Sequence, residues 1–183
     1  MQFNEHSELR NKHAFLSPSK SSWLRYDSNQ LTSRFHSWKA SKRGTDLHAL
    51  AHEAIRLGIR LDSENLALAA YVADAIENGM VCEQTLFFSQ HCFGSADTIA
   101  FDGETLLIHD LKTGVTPSKL EQLMVYAALF CLEYQIDPHT IKIHVAIYQG
   151  DGKLEDDADP DTIAAIMLTI VEFDNYIEST LRG

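Results

Sequence analysis

Residues 95–101 and 104–111 are two β-favouring runs separated by Asp102-Gly103, a dipeptide that suits the positive φ angles of a two-residue hairpin. This hairpin constrains the chain more than any other feature, because it decides which side chains share a face. With Asp102 and Gly103 at the tip, Phe101 is expected to face Glu104, Ile99 to face Leu106, Asp97 to face Ile108 and Ser95 to face Asp110. Side chains alternate with period two, so Asp97, Asp110 and Lys112 are expected on one side of the sheet, the two carboxylates on a diagonal. Carboxylates this close repel unless a cation neutralises them, and hard oxygen donors favour Mg2+ or Mn2+ over softer metals. A lysine two residues beyond the second carboxylate would stand beside a water to be activated.

The elements around the hairpin define the class. Upstream, Ser17-Pro18 reads as a helix start leading into Trp23, Leu24 and Tyr26. Gly44-Thr45-Asp46 introduces a second helix through Leu47, Leu50, Ala51, Ala54, Ile55 and Leu57, ending near Gly58, and Asp62 or Ser63 caps a third that stops at Asn78-Gly79. Residues 81–88 form a strand ahead of the hairpin. Downstream, Pro117-Ser118 opens a helix to about Tyr134, and residues 141–148 alternate as a fourth strand. Residues 150–159 read as an acidic loop, and Pro160 starts a closing helix through Ile177. The order predicts an α/β (α+β) chain with a mixed central sheet flanked by helices and extra helices at the N- and C-terminal ends. At 183 residues the chain suits one core, so a single domain over 1–183 is expected.

Composition narrows the setting. No run approaches the roughly 18 to 20 uncharged apolar residues of a membrane span, and Met1-Gln2-Phe3-Asn4-Glu5-His6 lacks a basic-then-apolar leader pattern, so a cytoplasmic protein without a membrane partner is expected. Cys82, Cys92 and Cys131 contain no C-x-x-C pair, which argues for reduced thiols rather than disulfides or structural zinc. The net charge of −11 opposes contact with a polyanion, but its distribution is uneven. Residues 1–61 hold ten basic and five acidic side chains, and residues 62–183 hold five and twenty-one. Arg34, Lys39, Lys42 and Arg43 therefore concentrate positive charge just ahead of the second helix, where a nucleic acid could be met; the alternative is a solvated basic segment.

Gly94-Ser95-Ala96-Asp97, followed by Asp110-Leu111-Lys112-Thr113-Gly114, resembles the catalytic signature of the RecB-like branch of the PD-(D/E)XK nuclease superfamily. Gly44-Thr45-Asp46-Leu47-His48 fits that branch's upstream Gly-Thr-x-x-His element, and Gln122-Leu123-Met124-Val125-Tyr126 fits its downstream Gln-x-x-x-Tyr helix. Leu16-Ser17-Pro18-Ser19 followed by Trp23 is similar to the opening segment of phage-encoded members. Ala96 stands where proline is common.

The resemblance implies a restriction-endonuclease-like αβββαβ core. It implies that His48, Asp97, Asp110 and the Leu111 carbonyl hold Mg2+ or Mn2+, that Lys112 orients the attacking water, and that Gln122 and Tyr126 position the substrate strand. It further implies a DNA nuclease, an exonuclease acting on linear ends or single strands in DNA-end processing or recombination. With no cysteine quartet, an iron-sulfur cluster is not expected. His52 lies one turn beyond His48 and either assists or packs. The acidic second part of the chain keeps a rival reading open, a nuclease-fold regulator acting through a protein partner, and a homo-oligomer is also compatible. A second rival, a hydrolase of small phosphate esters, has no substrate motif of its own.

Overall fold

The computed structural model describes residues 14–116 and 118–181, and the chain gathers into two compact units that divide between Thr45 and Asp46. In the first unit the expected helix after Ser17-Pro18 is a 3-10 helix, Pro18–Arg25, in which Ser17 makes no side-chain cap and Lys20 leaves helical geometry. Helix α1, Ser28–Leu57, follows. Asp27 Oδ1 accepts the Gln30 N–H at 2.8 Å, and Gln30 Oε1 accepts the Asp27 N–H at 3.2 Å. This reciprocal capping box satisfies the first turn. The helix therefore starts sixteen residues before Gly44 and runs through it, instead of beginning there. On its N-terminal part Phe35 and Trp38 stack at 5.8 Å, and Phe15 meets Phe35 edge-on at 5.2 Å.

The second unit is built on a five-stranded mixed sheet in the order β1 (Val81–Ser89), β2 (Cys92–Phe101), β3 (Thr105–Lys112), β4 (Lys142–Gln149) and β5 (Gly152–Asp157). β3 and β4 run parallel, joined through α3 (Glu121–Tyr134), and every other neighbouring pair is antiparallel. One face packs against α3 and α4 (Pro160–Leu181) around Leu106, Ile108, Ile147, Ala127 and Ile163. The other packs against the C-terminal part of α1 and α2 (Leu66–Glu77) around Ala51, Ala54, Tyr71, Leu111 and Tyr148. Coverage on both sides is why β3 and β4 read as nearly unbroken apolar runs. Leu106 is fully buried in the first of these cores. Leu106→Ala is expected to cost about 2–5 kcal/mol, lost transfer energy plus a cavity, read as a lower urea midpoint with an unchanged slope.

Several boundaries differ from expectation for local reasons. The α2 cap is Asn65, whose side chain accepts the Leu68 N–H at 3.0 Å, rather than Asp62 or Ser63. Pro117 lies outside the described residues; Ser118 to Leu120 are not helical, and α3 begins at Glu121. The acidic stretch from Gly150 is not a loop throughout. Gly150, at φ 61, and Asp151 turn the chain between paired Gln149 and Gly152, and β5 follows as a fully exposed edge strand. Its acidic residues are held by His144, whose Nδ1 lies 2.8 Å from Asp157 Oδ1, and by Lys153, whose Nζ lies 2.6 Å from Glu155 Oε2. Such charge blunts an exposed edge against further pairing.

Candidate functional site

The tip of the β2–β3 hairpin sets the site's register. Asp102 Oδ1 accepts the N–H groups of Glu104 at 2.8 Å and Thr105 at 2.7 Å, and Gly103 takes φ 101. These bonds hold the Asp102 carboxyl below the usual carboxylate range and widen the loop by two residues. Phe101 accordingly pairs with Leu106, Ile99 with Ile108 and Thr98 with His109. The expected register, with Phe101 on Glu104 and Asp97 on Ile108, is corrected by two. A shift of two keeps each residue on its face, and the same register carried one step further sets Asp97 directly opposite Asp110 rather than on a diagonal.

Regular pairing of β2 with β3 ends at Thr98 and His109. Beyond it the Asp97 carboxylate enters the ladder, Oδ2 accepting the Leu111 N–H at 3.1 Å. Ala96 and Ile99, three residues apart, both belong to the core on the α3 side. Even alternation would send them to opposite faces, so β2 turns over between them. Asp97 consequently reaches toward α1, where its Oδ2 lies 3.3 Å from His48 Nδ1. Asp110 and Lys112 keep to the α3 side. The expectation that all three project evenly from one face therefore holds for Asp110 and Lys112, with Asp97 between the two layers.

Asp110 is only 3% exposed on a central strand. Burial, and after it the charge of Asp97, push its carboxyl above the usual range, while Lys112 and His48 pull the other way. Lys112 Nζ donates to Asp110 Oδ1 at 3.0 Å and approaches Oδ2 at 2.9 Å. The second approach lacks hydrogen-bond geometry, so Oδ2 is buried without a hydrogen-bond partner. Neighbouring His109 brings no counter-charge, since burial and then Lys153 push its imidazole down to about 4, and its ring packs on Tyr148 of the opposite face at 5.5 Å. Tyr71 of α2 is buried, and its phenol is held well above its ordinary pKa by burial, with the charges of Asp97 and Asp110 acting in the same direction.

Lys112 also donates to Gln122 Oε1 at 3.1 Å, and Gln122 Nε2 donates to the Tyr126 hydroxyl at 3.4 Å. The two α3 residues thus share a face, as their spacing predicts, and continue the line from Asp110 to the surface. Tyr126 lies over β2 at Gly94, where an added Cβ would sit 3.0 Å from Tyr126 Cε1. Gly94→Val is expected to displace the ring, break the Gln122–Tyr126 bond and cost about 1–3 kcal/mol, seen as a lower urea midpoint; a change under about 0.5 kcal/mol would show the ring to be loosely held.

In the second unit, contacts join His48, Asp97 and Leu111 in one chain and Asp110, Lys112, Gln122 and Tyr126 in another, and among the described residues Asp110 is not in the group whose ligand atoms converge. Arg34, Lys39, Lys42 and Arg43 lie on α1 in the first unit, all exposed, with Lys42 Nζ 5.7 Å above the Trp38 ring. At 100° per residue Arg34 sits about 140° around the helix from Lys39, so they do not form one narrow stripe. Sequence reasoning left His52 undecided and overlooked Glu83. His52 Nδ1 lies 3.3 Å from Glu83 Oε1, and one ligand atom each of His48, His52 and Asp97 lie within 4.8 Å of one another. The i, i+4 histidine spacing was the available signal; Glu83 comes from a separate strand and had none. Cys82, Cys92 and Cys131 are free thiols, and among the described residues no helix is long and apolar enough to cross a membrane. Compared with models of known protein families and with curated proteins, the chain matches none.

Proposed function

We propose that the chain is a divalent-metal-dependent deoxyribonuclease of the RecB-like branch of the PD-(D/E)XK superfamily, an exonuclease hydrolysing phosphodiester bonds at DNA ends. The observation that carries this reading is Asp110: a carboxylate on a central strand, near enough to Asp97 to feel its charge, buried with one oxygen unsatisfied and joined by a lysine to a polar line that leads to the surface. A buried carboxylate with a second, half-buried one nearby is costly unless a cation neutralises them, so a chain that keeps both fits one built to bind an ion. The donor types also fit: two carboxylates and the Leu111 carbonyl are hard oxygens of the kind that suit Mg2+ or Mn2+, and His48 adds an imidazole that Mn2+ accepts more readily than Mg2+. The order of helix, three strands, helix and strand on a mixed sheet is compatible with the restriction-endonuclease-like core.

One or two such ions, when bound, would polarise the scissile phosphate and lower the pKa of a coordinated water. The remaining work falls to the chain. Asp97 and Asp110 hold their places through the Leu111 N–H and the Lys112 ammonium. Lys112, released from Asp110 once the carboxylate is otherwise neutralised, donates to the attacking water or to the charge growing on phosphate oxygens. Gln122 and Tyr126 orient the strand, Tyr126 by a hydrogen bond to phosphate or by stacking on a base. Arg34, Lys39, Lys42 and Arg43 supply backbone contacts that offset the acidic remainder of the chain. Resemblance of the N-terminal segment to phage-encoded proteins supports a role in DNA-end processing or recombination.

The test is cleavage of linear single- and double-stranded DNA with Mg2+ or Mn2+ by wild type, Asp110→Ala and Lys112→Ala. The proposal expects metal-dependent cleavage by wild type alone. Failure of wild type on every DNA would favour the regulator acting through a protein partner, and equal cleavage by all three would trace the activity to another protein.

A further inference from the structure

His48 and His52 stand one turn apart on α1 with their rings edge to face at 6.1 Å. One ligand atom from each of them and from Asp97 falls within 4.8 Å of the other two, so that small side-chain adjustments bring all three to bond lengths of about 2.0–2.2 Å from one ion. The state of His52 shows how it would bind. Its Nδ1 faces Glu83 Oε1 at 3.3 Å, while its Nε2 is buried with no hydrogen-bond partner. With Nδ1 beside a carboxylate in an ion-pair contact that falls short of hydrogen-bond geometry, and Nε2 left free, the ring is placed like a metal-binding imidazole, whose free nitrogen gains basicity when the carboxylate closes to a hydrogen bond. Glu83 holds that position at φ 53, a backbone conformation that residues other than glycine keep only when their surroundings impose it. It lies between the pairs Cys82↔Thr98 and Gln84↔Ala96, opposite Asp97. His52 and Glu83 also line an open cleft of about 920 Å3 with Ile55, Met80 and Cys82.

We infer that His48, His52 and Asp97 form a two-histidine, one-carboxylate centre that takes a transition-metal dication, Mn2+ or Zn2+, in preference to Mg2+, with Glu83 orienting His52. Imidazole donors suit these ions, whereas Mg2+ demands an octahedron of oxygens and dehydrates reluctantly. Asp97 links this centre to Asp110. What the ion does in cleavage rests on the nuclease reading; that it binds does not.

The metal-free full chain is titrated calorimetrically with Mn2+, Zn2+ and Mg2+, and the visible spectrum of the Co2+-loaded chain is recorded, for wild type, His52→Ala and Glu83→Gln. Mn2+ and Zn2+ are expected to bind wild type at least about 10-fold more tightly than Mg2+. His52→Ala is expected to weaken both by about 10- to 100-fold, with Mg2+ affinity little changed, and Glu83→Gln to weaken them by about 10-fold and shift the Co2+ bands. Wild-type affinity for Mn2+ and Zn2+ in His52→Ala would overturn the centre even in a chain that cuts DNA. If His52→Ala does not fold, as judged by circular dichroism, Glu83→Gln decides, since its side chain is exposed: unchanged affinity with an unchanged Co2+ spectrum overturns the centre. The expected affinities in a chain that cuts no DNA would uphold the centre and remove the nuclease.

Discussion

Lys112→Ala is expected to lower the rate of DNA cleavage by about 10²- to 10⁴-fold, the loss associated with removing one positioned donor from a developing charge, while leaving the affinity for Mn2+ within a few-fold of wild type. Lys112 touches Asp110 and Gln122 and no other residue of the site through its ammonium. As a cation it is no ligand for a cation. Its removal takes away a competitor for Asp110 as well as a partner, so binding of the metal survives. Single-turnover cleavage at saturating Mn2+, set beside calorimetric titration of the same preparation, separates the two effects. Parallel loss of turnover and of metal affinity would show that Lys112 acts by holding Asp110 in place.

The second large effect is a reversal. Asp110→Asn is expected to stabilise the metal-free chain by about 1–2 kcal/mol, which for a protein of this size is roughly 2–8 °C in Tm. The variant removes a charge that burial and Asp97 both disfavour, and the Lys112 side chain it leaves behind is 32% exposed and regains water. With Mn2+ present the order inverts. An ion at about 100 times its Kd adds about 2.7 kcal/mol to the wild type and far less to a variant lacking the carboxylate. Thermal unfolding of both proteins with and without Mn2+ reads the crossing directly. A variant less stable than wild type in the absence of metal would mean that the Asp110–Lys112 pair stabilises the fold rather than burdening it.

What the sequence revealed follows the physics of each feature. Apolar and β-favouring patterns located α2, α3, α4 and strands β1 to β4, because each buries residues whose period is written in the sequence. Residues 28–43 of α1 bury almost nothing, so hydrophobic spacing could not find them; the signal was Asp27-Ser28-Asn29-Gln30, a capping box read only once its two hydrogen bonds are seen. β5 escaped for the same reason, since every residue in it is exposed and acidic side chains disguise a strand as a loop. Hairpin register depended on the Asp102 side chain bonding its own backbone, a competition that composition does not reveal.

At the site, strand periodicity put Asp110 and Lys112 on one face and helix periodicity put Gln122 and Tyr126 on another, while the joining of the two pairs into one line was implied only by the family resemblance. The turn-over of β2 at Asp97 was not legible, because it arises where Ala96 and Ile99 are both drawn into the same core. That irregularity leaves Asp97 facing His48, close to His52, which in turn faces Glu83.

Anomalous diffraction from crystals of the full chain soaked in Mn2+ puts the shared-cation claim to its most direct test. A shared cation gives a peak within about 2.0–2.3 Å of a carboxylate oxygen from both Asp97 and Asp110. Mn2+ found only elsewhere, or the two carboxylates turned apart with Lys112 still bound between Asp110 and Gln122 at saturating metal, would contradict it.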